Sequence, residues 1–282
     1  MNQPSFLTRV LKFIRFSHTI FALPFALGSM LVAAHGLPTM RTVSLILLAM
    51  VFARTAAMAF NRVADWEIDK ANPRTAGRHK LVTRGAAIGL VIVSSGAFIV
   101  VCWFINRVCF ALSPVALAIV FFYSLTKRFT AFTQPFIGLA LAVAPVGAWL
   151  AVHGRLAWPP VVLALGVAFW VAGFDLIYAI QDYEFDRQRG LGSMVVRYGV
   201  SGSLRLAQVM HASLWLCLVA FGVTAGLGFV YYASLVLVLG ALWYEHRAAS
   251  RLDVVGINRA FFQSNAFVSL VFVLATAVDV LW

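Results

Sequence analysis

The chain has 282 residues, of which 62% are hydrophobic and only 11% charged, with a formal net charge of +12; an average soluble domain carries roughly 25% charged residues. Its mean hydropathy of +0.91 excludes an ordinary soluble domain and places the chain in a bilayer. Cys102, Cys109 and Cys217 lie in apolar segments without CxxC or Cys/His spacing, which excludes a disulfide framework and a zinc site.

A hydrocarbon core about 30 Å thick needs roughly 20 apolar residues per helical span. Residues 1–12 are mildly basic, and no small-residue cleavage pattern closes the long apolar stretch behind them, so a removable signal peptide is not expected. Apolar runs then follow at about 17–34, 42–60, 86–105, 110–125, 134–152, 159–180, 206–226, 229–244 and 261–281. These nine runs predict an all-α polytopic membrane protein, with nine transmembrane helices in a single bundle. Pro24, Pro114, Pro135 and Pro145 are expected to start or kink helices. Gly138, Ala140, Ala142 and Ala144 permit close helix packing in lipid. Trp103, Trp149, Trp158, Trp243, Trp282 and the pair Tyr231-Tyr232 stand near span ends, where aromatic belts anchor a membrane protein.

Charge tests this map. With nine spans, seventeen basic residues fall in the loops of one side, from Arg9 to Arg259, and only Arg41, Arg107 and Arg155 fall on the other. The positive-inside rule assigns the first side, with the N-terminus, to the cytoplasm and Trp282 to the opposite side. Dispersal of the cations over five cytoplasmic segments excludes a nucleic-acid partner.

The chain has ten acidic residues, and seven of them occupy two short windows. Asp65, Glu67 and Asp69 follow the second span; Asp175, Asp182, Glu184 and Asp186 surround the end of the sixth. Glu245, Asp253 and Asp279 are scattered near other span ends, where a solvated or interfacial place is expected. Asn61, Asp65 and Asp69 are spaced i, i+4, i+8, as are Tyr178, Asp182 and Asp186, so on a helix each set forms one stripe. Like charges at this spacing repel, acids near the hydrocarbon are costly and usually functional, and the last turns of a helix favour cations. Solvation of two helix ends therefore explains them poorly, and a cation between the stripes is expected. A hard divalent ion held by oxygen fits. Magnesium usually keeps several waters and is completed by substrate phosphates, which predicts a phosphorylated substrate at a cytoplasm-facing Asp-rich cavity. Arg74, Arg78, Arg187, Arg189, Lys127 and Arg128 flank the windows, each explicable by topology and together suited to a diphosphate. The recurrence of a stripe four spans apart suggests a four-helix repeat that sets both across one cavity.

The segments 61–69 (NRVADWEID), Arg74-Thr75-x2-Arg78, Tyr123-Ser124-x2-Lys127-Arg128 and Asp175-x2-Tyr178-x3-Asp182-x3-Asp186 make the chain similar to the UbiA superfamily of intramembrane aromatic prenyltransferases. The similarity covers nearly the whole chain, as one domain over residues 1–282. Residues 15–25 and 72–78 resemble the 4-hydroxybenzoate polyprenyltransferase branch, which includes members assigned to menaquinone formation. The resemblance implies that Asn61, Asp65, Asp69, Asp182 and Asp186 hold Mg2+ and the diphosphate, and that Asp175 and Tyr178 line the reaction chamber. It further implies that Arg54, Arg74, Lys127 and Arg128 contact the diphosphate and that Arg15 contacts the acceptor. The partners would be a polyprenyl diphosphate and an aromatic acid, with membrane lipid around the protein in a bacterial inner membrane. The sequence departs from the family pattern at Arg62, where many relatives carry an acid, at His18, and in the His79-Lys80-Leu81-Val82-Thr83 loop.

The expected reaction is Mg2+-dependent transfer of the prenyl group to 4-hydroxybenzoate in quinone biosynthesis, with a naphthoate as the alternative acceptor. Preplaced cations would stabilise the departing diphosphate, and the allylic cation would attack the ring beside its phenol oxygen. Apolar spans would exclude water, Tyr178 would face the cation, and Asp175 would orient the phenol or take up a proton. A haem acceptor would call for histidines at the chamber, and His18, His79 and His153 are scattered. A cation-coupled transporter is the reading from another class; it requires acids near the bilayer midplane, whereas these lie toward one face. Prenyl length depends on how far a groove runs between spans.

Overall fold

The computed structural model describes residues 5–15, 19–251 and 254–282; His18 and Asp253 lie outside the described residues. Every regular element among them is helical, as expected where lipid offers the backbone no hydrogen-bond partner. A short α1 (Phe6–Phe13) is followed by α2 (Thr19–Ala34), α3 (Met40–Ala64) and a six-residue α4 (Trp66–Ala71). Then come α5 (Arg84–Ile105), α6 (Arg107–Thr126), α7 (Thr133–His153), α8 (Trp158–Ala179) and a second short helix, α9 (Tyr183–Gln188). The chain ends with α10 (Met194–Ala225), α11 (Phe229–Ala249) and α12 (Val254–Leu281).

Seven helices among the described residues are long and apolar enough to cross a membrane. The nine runs of the sequence each contain a helix, but α2 is short and the Tyr231-Tyr232 and Glu245-His246-Arg247 groups dilute the apolar character of α11. α10 begins twelve residues before the apolar run predicted there, because its first turns are polar and carry a bend at Gly199 (φ 70°) that hydropathy does not register. Side-chain caps start several helices, with Thr39, Thr83 and Asn106 accepting from the amides of Thr42, Ala86 and Cys109. Gly154 and Gly226 end α7 and α10 in the left-handed region.

The packing divides into two lobes around a common cavity. α2, α8, α10, α11 and α12 share a core built on Phe25, Leu163, Trp170, Leu214, Tyr231 and Phe272. α3, α5, α6 and α7 share a second, built on Ala56, Phe98, Cys102, Leu117 and Leu150. α7 joins the lobes by packing on α8, and it can do so closely because Gly138 stands against the backbone carbonyl of Ala168. A side chain at Gly138 would meet backbone, which cannot move aside as a side chain can. Gly138→Leu is therefore expected to lower the thermal unfolding midpoint in detergent, by an overpacking cost of about 1–3 kcal/mol.

Several polar and aromatic residues occupy other places than expected. Trp103, Trp158, Trp243 and Trp282 are exposed, but Trp149 and Tyr231 are core residues. Trp149 packs against the His153 ring, and Tyr231 donates its hydroxyl to the Leu218 carbonyl. Glu245, expected at an interface, is fully buried and accepts from Asn265 Nδ2 at 3.0 Å. Asp279 accepts the Tyr231 amide at 2.9 Å and so caps the start of α11.

Candidate active site

Both acidic stripes straddle a break in a helix. α3 stops at Ala64, Asp65 forms the joint (φ −93°, ψ 15°), and α4 begins at once. The Asp65 amide still donates to the Asn61 carbonyl at 2.9 Å and the Asp69 amide to the Asp65 carbonyl at 2.7 Å. The i, i+4 register thus survives the joint, and Asn61, Asp65 and Asp69 remain on one side. In the second half α8 passes through a 3-10 turn at 180–182 into α9, with Asp182 at the joint. This corrects one step of the sequence argument. Four of the seven acids do not sit in the last turns of their spans, opposed to the macrodipole. Glu67 and Asp69, and Glu184 and Asp186, lie in the first turns of α4 and α9, where negative charge is favoured.

The repulsion within each stripe is met by basic side chains. Asp65, 5% exposed, pairs with Lys127 Nζ at 2.6 Å and Arg128 at 3.4 Å and accepts from Asn61 Nδ2 at 3.3 Å. Burial raises its carboxyl above the usual range while Lys127 and Arg128 pull the other way. Asp69 pairs with Arg78 at 2.9 Å and Arg62 at 3.4 Å. Asp182 is held bidentately by Arg74, whose Nε donates at 2.8 Å, and accepts from Asn72 Nδ2 at 3.1 Å. Asp186 makes no ion pair among the described residues. Burial and the Arg62 charge push the Arg78 guanidinium down to about 10, with Asp69 opposing, so it stays charged at neutral pH.

Tyr178 lies under this layer. Its hydroxyl accepts from Arg74 at 2.8 Å and from Arg15 at 3.2 Å. Its ring stands 5.1 Å from the Arg74 guanidinium and 4.8 Å from the Phe261 ring. Arg128 is also engaged by backbone, donating to the carbonyls of Ser124 at 2.9 Å and Ala64 at 2.5 Å, which fixes the end of α3. Arg54 is seven residues before Asn61 on α3, about 10 Å deeper by helical rise. It makes no ion pair among the described residues, and its Nε has no partner.

Apart from Arg128, which the wall does not include, these side chains line one cavity of about 720 Å³, which holds Asn61, Asp65, Asp69, Asp175, Asp182 and Asp186 in its wall. Its remainder is apolar and runs between α3, α5, α6, α7 and α8 past Met50, Phe98, Leu117, Ile46 and Cys102. Four residues outside the expected set complete the mouth. Arg62 stands where an acid was expected and bonds both Asn61 Oδ1 and Asp69. Asn72 and Ser124 hold Asp182 and Asn61; their signal was adjacency to the motifs. Gly192 packs its backbone on the carbonyls of Lys127 and Thr130, and its amide donates to Lys127. A lone glycine in a loop gives no such signal.

Among the described residues no three His, Cys, Asp or Glu side chains stand close enough to enclose a metal ion. The donor set nonetheless fits magnesium, which binds through one or two carboxylates and is completed by water and substrate phosphates. The mouth offers hard oxygen donors from both stripes, with Asp186 unpaired.

A model of the UbiA prenyltransferase family matches residues 22–271. A Nitrosospira multiformis protein described as 4-hydroxybenzoate octaprenyltransferase is 28% identical over 236 residues, 83% of this chain and 81% of its own. Among solved structures, the apo UbiA homologue of Aeropyrum pernix K1 is similar at a TM-score of 0.84 and 31% identity, over 94% of this chain and 98% of its own. The Archaeoglobus fulgidus homologue bound to GPP and Mg2+ shares the fold at a TM-score of 0.72 and 19% identity, over 96% and 99% of the two chains.

Proposed function

The chain belongs to the UbiA prenyltransferase family, and from that premise we propose that it transfers a polyprenyl group from a diphosphate to 4-hydroxybenzoate at this mouth. The observation that carries the reading is the junction of a charged rim with a long apolar floor in one cavity. A diphosphate suits the rim, and a polyprenyl chain suits the floor. Asn61, Asp65, Asp69, Asp182 and Asp186 would hold Mg2+, which when bound neutralises charge developing on the leaving diphosphate. Arg74, Arg78 and Lys127 supply further fixed positive charge at the same rim.

As the C–O bond to diphosphate breaks, the Tyr178 and Phe261 rings, 4.8 Å apart, present aromatic faces to the allylic carbon. The apolar wall excludes water from it. The new bond forms at the ring carbon beside the acceptor's phenol oxygen, and the displaced ring proton passes to a base, the role proposed for Asp175 in the wall. Arg15, anchored on the Tyr178 hydroxyl, is placed to meet the acceptor's carboxylate.

To test this, purified protein would be given geranyl diphosphate with 4-hydroxybenzoate or a hydroxynaphthoate. Prenylated 4-hydroxybenzoate is expected as the faster product. Faster naphthoate prenylation would move the enzyme to the alternative acceptor, and diphosphate release independent of any acceptor would overturn the transfer reading.

We also propose that α2 and α11 span the membrane with the seven long apolar helices, which puts the N-terminus and the mouth in the cytoplasm. A cysteine at Arg155 is then expected to react with an impermeant thiol reagent only from the outer side of intact cells; labelling confined to inverted vesicles would refute the map.

A further inference from the structure

Away from the mouth, α1 lies on the turn that joins α4 to α5. Its inner face is apolar, with Phe13 and Ile14 in a core that includes Trp66, Val82 and Ala87. The same apolar side continues beyond this core, where Phe6, Leu7 and Leu11 are 60%, 66% and 37% exposed. An eight-residue helix with its apolar residues on one side and Thr8, Arg9 and Lys12 on the other is built to lie in a membrane interface. Between α1 and the turn at 78–83 is a notch of about 160 Å³, lined by Phe6, Arg9, His79, Lys80, Leu81 and Thr83 among others, with no acidic residue in its wall.

The cations of this region behave differently from those of the mouth. Arg62, Arg74, Arg78, Lys127 and Arg128 all have carboxylate partners. Arg9, Lys12, Lys80 and Arg84 have none among the described residues. Arg9 Nε and His79 Nδ1 are shielded from solvent and yet bonded to nothing among those residues. Positive-inside topology explains cations on this side of the membrane; it does not explain why two residues of different segments that line one notch each keep an enclosed nitrogen without a partner among the described residues.

We propose that this notch binds the phosphate-bearing headgroup of an anionic phospholipid, with its acyl chains beside Phe6, Leu7 and Leu11. The chemistry the notch recognises is a phosphate, and the exposed apolar face of α1 favours one that carries acyl chains over one free in solution. The site rests only on the chain's being a membrane protein, not on the acceptor. Its consequence for the mouth follows from covalent continuity. Arg78, which holds Asp69, begins the same short 3-10 turn as His79 and Lys80, so a bound headgroup fixes the turn that presents Arg78.

The test uses the full chain in nanodiscs of phosphatidylcholine with or without phosphatidylglycerol, read by native mass spectrometry and by hydrogen exchange of residues 79–83. Wild type is expected to retain phosphatidylglycerol over phosphatidylcholine, with slower exchange in the turn. The double variant Arg9→Gln, Lys80→Gln should lose about tenfold or more in that retention, since each basic residue near an anionic surface contributes several-fold. Arg247→Gln with Arg251→Gln, on the same predicted side but remote in the chain, should retain it. Undiminished retention by the first double variant, or no preference in the wild type, would overturn the site. Equal slowing of exchange by millimolar inorganic phosphate in phosphatidylcholine alone would assign the notch to a free anion instead.

Discussion

Asp182→Asn is expected to reduce prenyl transfer by roughly 10²–10³-fold in kcat, the scale on which loss of one group stabilising transition-state charge is felt. The substitution keeps shape and removes charge. It withdraws a proposed metal ligand, and it weakens the bidentate grip on Arg74 that orients this guanidinium over Tyr178. Asn72 and Arg74 belong to the first half of the chain and Asp182 to the second, so this carboxylate also ties the halves together across the mouth. Turnover with geranyl diphosphate, with binding of the diphosphate measured separately, distinguishes the effects. Near wild-type kcat and KM together would remove Asp182 from the site, whereas a loss confined to KM would leave it a purely binding role.

Withdrawal of divalent cations should have an effect of similar or greater size. EDTA is expected to suppress transfer by about 10²-fold or more, with full recovery on adding Mg2+. The reason lies in the count of charges at the mouth: Asp65, Asp69 and Asp182 are each already paired with Arg or Lys. A diphosphate entering without metal must compete with three carboxylates for those cations. With metal present, carboxylates and phosphates share one positive centre. Transfer that persists in EDTA would refute the metal site and leave the basic residues as the whole anion-binding device.

Much of this was legible in the sequence, for reasons that differ by residue. The helices were visible because lipid demands long apolar runs, and hydropathy reports length and location well. It reported poorly at α10, where polar turns precede the apolar run, and at Trp149, Tyr231 and Glu245, because proximity to a span end does not say which way a side chain points. The stripes were visible through i, i+4 spacing, since the amide of Asp65 keeps the helical register across its joint. The joints were not visible, because nothing local in Ala64-Asp65-Trp66 or Ile180-Gln181-Asp182 breaks a helix. Arg62 read as a missing acid and proved to be a counter-ion for Asp69; spacing marks position, while the sign of a charge acquires meaning only from its neighbours. Gly192 left no trace, its use being set by the backbone it touches.

The pairing of Arg62, Arg74, Arg78 and Lys127 with carboxylates bears on how a turnover would end. A pocket of bare positive charge binds a diphosphate strongly before reaction and more strongly after, when the leaving group has gained charge. Here the protein keeps its own anions beside the same cations. Admission of the proposed diphosphate would then be an ion exchange, in which a phosphate displaces a carboxylate and the number of pairs changes little. Departure would be the reverse exchange, with Asp65, Asp69 and Asp182 reclaiming their partners as the diphosphate leaves. Such a rim gives up binding strength and gains turnover, acting as a buffer of fixed charge rather than a trap.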